Sequence, residues 1–133
     1  MGKKEDALKV EADNLVEEAC DIFESCVKCG MCKAICPVFK VLREEQFSAR
    51  GKAVLVSEKV LDSVFFDCNL CKGCEVKCPL GIKVCDGVLK CREAMVLKGN
   101  GLKENEGMIS NIRKFGNPFG EGDGKDLEKL YCC

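Results

Sequence analysis

The sequence predicts a mainly α-helical fold held together by cysteine-bound metal, and three observations predict it. Cysteine supplies 13 of 133 residues, eight of them in two runs with one spacing. Elsewhere apolar residues recur at intervals of three and four, the period of a half-buried helix. No stretch alternates apolar and polar residues as a half-buried strand would. Composition explains why metal is needed: once the cysteines are set aside, the apolar fraction drops from 47% to about 38%, a thin core for this length.

Charge and termini narrow the class further. Lys and Arg total 21 against 22 Asp and Glu, a net charge of −1 that disfavours a strongly basic nucleic-acid binder. The charged opening, Met1 to Asp6, has no apolar signal core, and the longest apolar runs are the size of Ala53-Val54-Leu55-Val56. The expectation is a cytoplasmic protein with no direct membrane span, any membrane association coming through a partner. Asp6 stands where a myristoylation signal wants Ser or Thr, and Cys132-Cys133 lacks the form of a prenylation tail. A reducing cytoplasm disfavours disulfides and leaves metal ligation as the use of these thiols.

The elements follow in chain order. Leu8, Ala12, Leu15, Ala19, Ile22 and Cys26 form one face of a helix spanning 7–26, whose other face is acidic: 3–24 holds eight Asp or Glu and three Lys. Ser48 caps a second helical segment, with Ala53, Val54, Val60, Leu61, Val64 and Phe65 turned inward. A third helix covers 84–98, with Val84, Val88, Cys91 and Met95 on one stripe and Gly99-Asn100 as its stop. A fourth covers 104–115 through Met108, Ile109, Ile112 and Phe115. After it, the glycines from Gly116 to Gly124 with Pro118 read as a linker, ahead of a stub at 127–131. The expected division is a helical domain over 1–115 and a linker with a C-terminal stub over 116–133.

The cysteine runs carry the chemistry. Cys26, Cys29, Cys32 and Cys36 before Pro37 spell C-x2-C-x2-C-x3-C-P, and Cys68, Cys71, Cys74 and Cys78 before Pro79 spell it again 42 residues later. Two-residue gaps let three thiolates of one tight loop grip three irons of a cubane; the fourth iron needs a distant ligand. In two-cluster ferredoxins the fourth Cys of each run serves the other cluster. Cys26, Cys29, Cys32 and Cys78 are therefore assigned to one 4Fe-4S cluster, and Cys68, Cys71, Cys74 and Cys36 to a second. Each Pro ends its loop, and Gly30 and Gly73 supply permissive backbone. Zinc uses paired cysteines and gains nothing from a third at the same spacing. The chain has no His, which excludes Rieske centres, His-ligated haem and histidine base catalysis by this chain.

The other thiols and the loop cations receive plainer readings. Cys20, Cys85 and Cys91 are read as packing, and Cys132-Cys133 as a disordered end, the competing role being to feed a cofactor or disulfide in a partner. Lys28, Lys33, Lys72 and Lys77 lie within the loops and are expected to be solvated, the competing role being to raise potential or steer an acidic partner. Arg50 and Lys52 read the same two ways. The 31 residues between Cys36 and Cys68 look helical and exceed the connection of a compact bacterial ferredoxin. Eight metal–thiolate bonds would tie distant segments together, so the apo chain is expected to be largely unfolded.

These features resemble the α-helical ferredoxin family, which includes the C-type iron-sulfur subunits of heterodisulfide reductase and the N-terminal part of its D-type subunits. The same family includes the iron-sulfur subunits of glycolate oxidase, lactate utilisation and anaerobic glycerol-3-phosphate dehydrogenase systems. The likeness runs from about Ser25 to Gly120 and is carried by both cysteine runs, Ser48-Ala49-Arg50-Gly51-Lys52, Arg92-Glu93 and Gly116-Asn117-Pro118-Phe119-Gly120. It implies an α-helical ferredoxin with two 4Fe-4S clusters, relaying single electrons and not catalytic alone. The implied partners are a flavin or ferredoxin-type donor and a catalytic subunit with a CCG-type domain, in a complex reducing a disulfide or serving a 2-hydroxyacid or glycerol-3-phosphate dehydrogenase.

Overall fold

A computed structural model describes residues 2–121, with side chains from residue 6. It contains six α-helices among the described residues and no strand: α1 (Gly2–Phe23), α2 (Pro37–Leu42), α3 (Ala49–Ser57), α4 (Gly73–Lys77), α5 (Val84–Leu97) and α6 (Lys103–Phe115). Short 3₁₀ turns lie at Met31–Ile35, Glu45–Phe47 and Ser63–Phe65. The Cys132-Cys133 pair and the expected stub at 127–131 lie outside the described residues.

The chain divides after Asn100 into two units. In the first, α1 lies along α5. Ala12, Leu15, Val16, Ala19 and Phe23 form the buried stripe of α1, so Leu8, in line with it, is left exposed. The helix stops at Phe23, and Cys26 follows in a loop rather than on the helix face. The expected stripe of α5 holds: Val84, Val88, Cys91 and Met95 are all buried. Its end is closed by Gly99 in the left-handed conformation and by the Asn100 amide donating to the Met95 carbonyl. Gly87 of α5 leaves room for the Phe23 ring of α1, since a Cβ there would lie 2.4 Å from it.

Ser48 caps α3 as expected, its hydroxyl accepting from the Gly51 amide at 2.8 Å. The helix is shorter than the apolar pattern suggested. It ends at Ser57, with Lys59 in a left-handed conformation that lets its own amide reach the Val56 carbonyl and the Val60 amide the Leu55 carbonyl. Val54 and Val60 consequently face solvent, whereas Ala53, Val64 and Phe65 are buried. Pro37 does not merely end a loop. It opens α2 at a position where its missing N–H costs nothing.

The second unit contains α6, which the sequence grouped with the helices before it. Met108, Ile109, Ile112 and Phe115 are exposed. The stretch 116–120 is an ordered turn: the Asn117 side chain accepts from the Phe119 and Gly120 amides, and Asn111 donates to the Pro118 carbonyl.

Candidate iron-sulfur centre

The two cysteine loops share a backbone shape. In the first, Lys28 and Gly30 have positive φ; in the second, Leu70 and Lys72 do, each 42 residues further on. Left-handed residues alternating with ordinary ones turn successive N–H groups to the concave side of a loop. Gly73, expected to supply this freedom, is instead the first residue of α4. Lys72 fills the place that Gly30 fills in the first loop.

Each loop walls one cavity. The first, with about 460 Å³ of space including its mouth, is lined by Cys26, Cys29, Cys32 and Cys78, together with Cys74. The second, about 390 Å³, is lined by Cys36, Cys68, Cys71 and Cys74, together with Cys85. The fourth cysteine of each run thus lies at the cavity of the other loop. Cys74, Ala49 and Val84 belong to both walls, so the cavities adjoin. Among the described residues no three Cys, Asp or Glu side chains converge as ligands of a single metal ion would.

The polar lining is cationic. Lys28 and Arg50 face the first cavity and Lys52 and Lys72 the second, with no carboxylate in either wall. Arg50 sets its Nη1 3.7 Å from the Glu45 carboxylate, yet its Nε is buried with no hydrogen-bond partner. Lys33, by contrast, is engaged away from the thiols, paired with Glu45 and 4.8 Å from the Phe39 ring centroid.

Lys52 is 1% exposed, contrary to the solvated reading. Its Nζ donates to the Phe47 carbonyl at 2.8 Å, the same oxygen that lies 3.9 Å from the Cys36 thiol. Burial pushes its pKa below the ordinary lysine value, against the pull of Cys68, Cys36 and Asp67, with Arg92 adding to the fall. Arg92 holds the second loop from α5. It donates through Nε to the Phe65 carbonyl at 2.8 Å and through Nη2 to those of Phe66 and Cys68.

Burial governs the thiols as well. It pushes Cys74 up to about 12, with the neighbouring Cys85, Cys68 and Cys32 and the Glu75 carboxylate adding to the rise. Burial also raises Cys32, as do the thiols of Cys26, Cys29 and Cys78. Cys85 is buried as the packing reading expects, 2% exposed on the first turn of α5, and it also lines the second cavity, its amide fixed by Glu75 Oε1 at 2.8 Å. Its place on a buried first helical turn shortly after Cys78 was the available signal. Cys20 and Cys91 do pack, on α1 and α5.

Thiol donors, cationic walls and an orphaned guanidinium N–H suit a net-anionic, sulfur-rich group. Residues 22–82 match the 4Fe-4S dicluster domain family. The matched segment contains both cysteine runs. It holds two 4Fe-4S clusters. The chain is 31% identical over 74 residues to the glycolate oxidase iron-sulfur subunit of Escherichia coli, covering 50% of this chain and 18% of that one. It is 27% identical over 116 residues to the C-type subunit of the ferredoxin/F420H2-dependent CoB-CoM heterodisulfide reductase of Methanosarcina acetivorans, covering 80% and 68%. Over 110 residues it is 27% identical to a C-type iron-sulfur subunit of the CoB-CoM heterodisulfide reductase of Methanocaldococcus jannaschii, covering 80% and 59%. The aligned part of the chain thus spans less than a fifth of the first relative's length, about two thirds of the second's and under two thirds of the third's. Among the described residues no helix is long and apolar enough to cross a membrane.

Proposed function

We propose that this chain is an electron-transfer subunit whose clusters are ligated by Cys26, Cys29, Cys32 and Cys78 on one side and Cys68, Cys71, Cys74 and Cys36 on the other. The observation that carries the reading is the shared wall. Two thiol-lined cavities separated by Cys74, Ala49 and Val84 give an electron a short path through the domain. Each cluster takes and releases one electron with little rearrangement. The chain's own part is to fix the clusters by thiolates, to oppose their charge with Lys28, Arg50, Lys52 and Lys72, and to cover them with apolar side chains, Phe23 and Ile82 at the first cavity and Val38 and Phe47 at the second.

The heterodisulfide reductase reading is favoured by extent, because that likeness covers 80% of this chain. In it, a flavin or ferredoxin-type donor subunit feeds the clusters, and a catalytic subunit with a CCG-type domain takes the electrons to a disulfide. A 2-hydroxyacid dehydrogenase complex is the second reading, favoured by the 31% identity to the glycolate oxidase subunit. In both the chain acts in the cytoplasm.

The test is anaerobic. Iron and acid-labile sulfide are counted per chain, and EPR spectra are taken before and after dithionite. The expected result is about eight of each and the signal of two interacting reduced cubanes. Zinc without sulfide, or clusters that never change redox state, would overturn the proposal. Co-purification with a CCG-domain subunit favours the first complex, and with a flavin-dependent hydroxyacid dehydrogenase the second.

A further inference from the structure

The two cavities differ in how their cations are compensated. Arg50, at the first, is partly exposed and shares its charge with Glu45, 3.7 Å away. Lys52, at the second, is 1% exposed and bonded only to a neutral carbonyl, with no ion pair among the described residues. Apart from the cysteines, the charged groups that act on it are Asp67 and Arg92, which oppose one another. A buried, uncompensated cation acts through a low local dielectric, where solvent and salt screen it little.

We propose that Lys52 orders the two clusters, making the one held by Cys36, Cys68, Cys71 and Cys74 the more easily reduced, so that electrons entering the domain come to rest there. The inference rests on the two-cluster reading above. Reduction adds one electron, and so one negative charge, to a cluster; dithionite supplies it in the test, no bond breaks and Lys52 keeps its proton. The positive charge beside the second cavity favours the reduced form there over the reduced form in the first. Cys85 is the fifth cysteine at the second cavity and is not one of its assigned ligands, whereas the fifth at the first, Cys74, is assigned to the second cluster.

The experiment is a potentiometric dithionite titration of the full chain carrying both clusters. Hyperfine-shifted Cys β-proton resonances, assigned in the sequence, tell the two clusters apart. In the wild-type chain the first electron should prefer the cluster of Cys36, Cys68, Cys71 and Cys74 at least tenfold, which is about 59 mV for one electron. Lys52→Met should reduce that preference at least tenfold with about eight irons retained; Lys52→Arg should restore it, and Arg50→Gln should change it less than Lys52→Met. Equal sharing or the reverse order in the wild-type chain overturns the proposal, as does an unchanged preference in Lys52→Met. If Lys52→Met loses a cluster, the wild-type order alone decides. The two-cluster reading fails earlier and separately, at the iron and sulfide count.

Discussion

Replacing Gly51 by alanine should destabilise the protein, although alanine is the better helix former. Helix propensity alone would favour Gly51→Ala by ~0.5–1 kcal/mol. Against this, the new methyl would lie 2.0 Å from the Glu45 carbonyl oxygen, 2.7 Å from its carbon and 2.9 Å from Gln46 Cα. All three atoms are backbone, so the 3₁₀ turn Glu45–Phe47 must move away from α3. Overpacking of this kind costs ~1–3 kcal/mol. The moved turn carries the Phe47 carbonyl that holds Lys52, so a hydrogen bond of ~1–2 kcal/mol to a charged donor weakens with it. The net loss is ~1–3 kcal/mol, lowering the thermal midpoint by ~4–12 °C for a domain of this size. Differential scanning fluorimetry under argon at one fixed scan rate, with iron per chain counted alongside, measures it. Gly107→Ala is the control, since nothing lies within 4 Å of the added methyl. A Gly51→Ala chain with full iron and an unchanged or higher midpoint would refute the close-approach argument.

Three further outcomes are expected. Arg92→Gln leaves the Phe65, Phe66 and Cys68 carbonyls short of a charged donor, a loss of ~2 kcal/mol or more, and iron per chain should fall as the second loop loosens, through more empty chains rather than half-loaded ones. Lys72→Gly relieves a left-handed residue that costs ~1–2 kcal/mol; the midpoint should hold or rise, whereas Gly30→Ala should lower it. Burial, with Cys20 adding, pushes Cys91 from its ordinary 9.0 up to about 12. Above pH 9 the unfolded chain therefore releases a proton that the folded chain keeps, and stability falls by up to ~1.4 kcal/mol per pH unit until about pH 12. Midpoints at pH 8, 9 and 10 should show a shallower decline in Cys91→Ala.

What could be seen in the sequence was what depends on local spacing. The period of α5 places Val84, Val88, Cys91 and Met95 on one stripe whatever they pack against, and Ser48 caps α3 through an amide three residues away. Both cysteine runs were visible for the same reason. Burial of Lys52 was not, because nothing near it in sequence distinguishes it from a solvated lysine; its burial depends on the Phe47 carbonyl and on walls drawn from Cys36, Cys68 and Cys85. The helix α2 was missed because six residues carry too little periodicity. The left-handed places were assigned to Gly30 and Gly73 by residue type, yet a lysine occupies the second one, since a loop held at both ends can impose a conformation its residues would not choose.

The exchange of fourth cysteines between the cavities has a consequence for assembly. Cys78 leaves the second loop to wall the first cavity, and Cys36 leaves the first loop to wall the second. Neither cavity is complete while the other half of the chain is out of place. The arrangement is a clasp with two interlocked hooks, and a partly built chain lacks a finished site for either. Loading should therefore be all-or-none, with chains carrying four irons scarce beside empty and full ones, and oxygen damage to one cluster should release both.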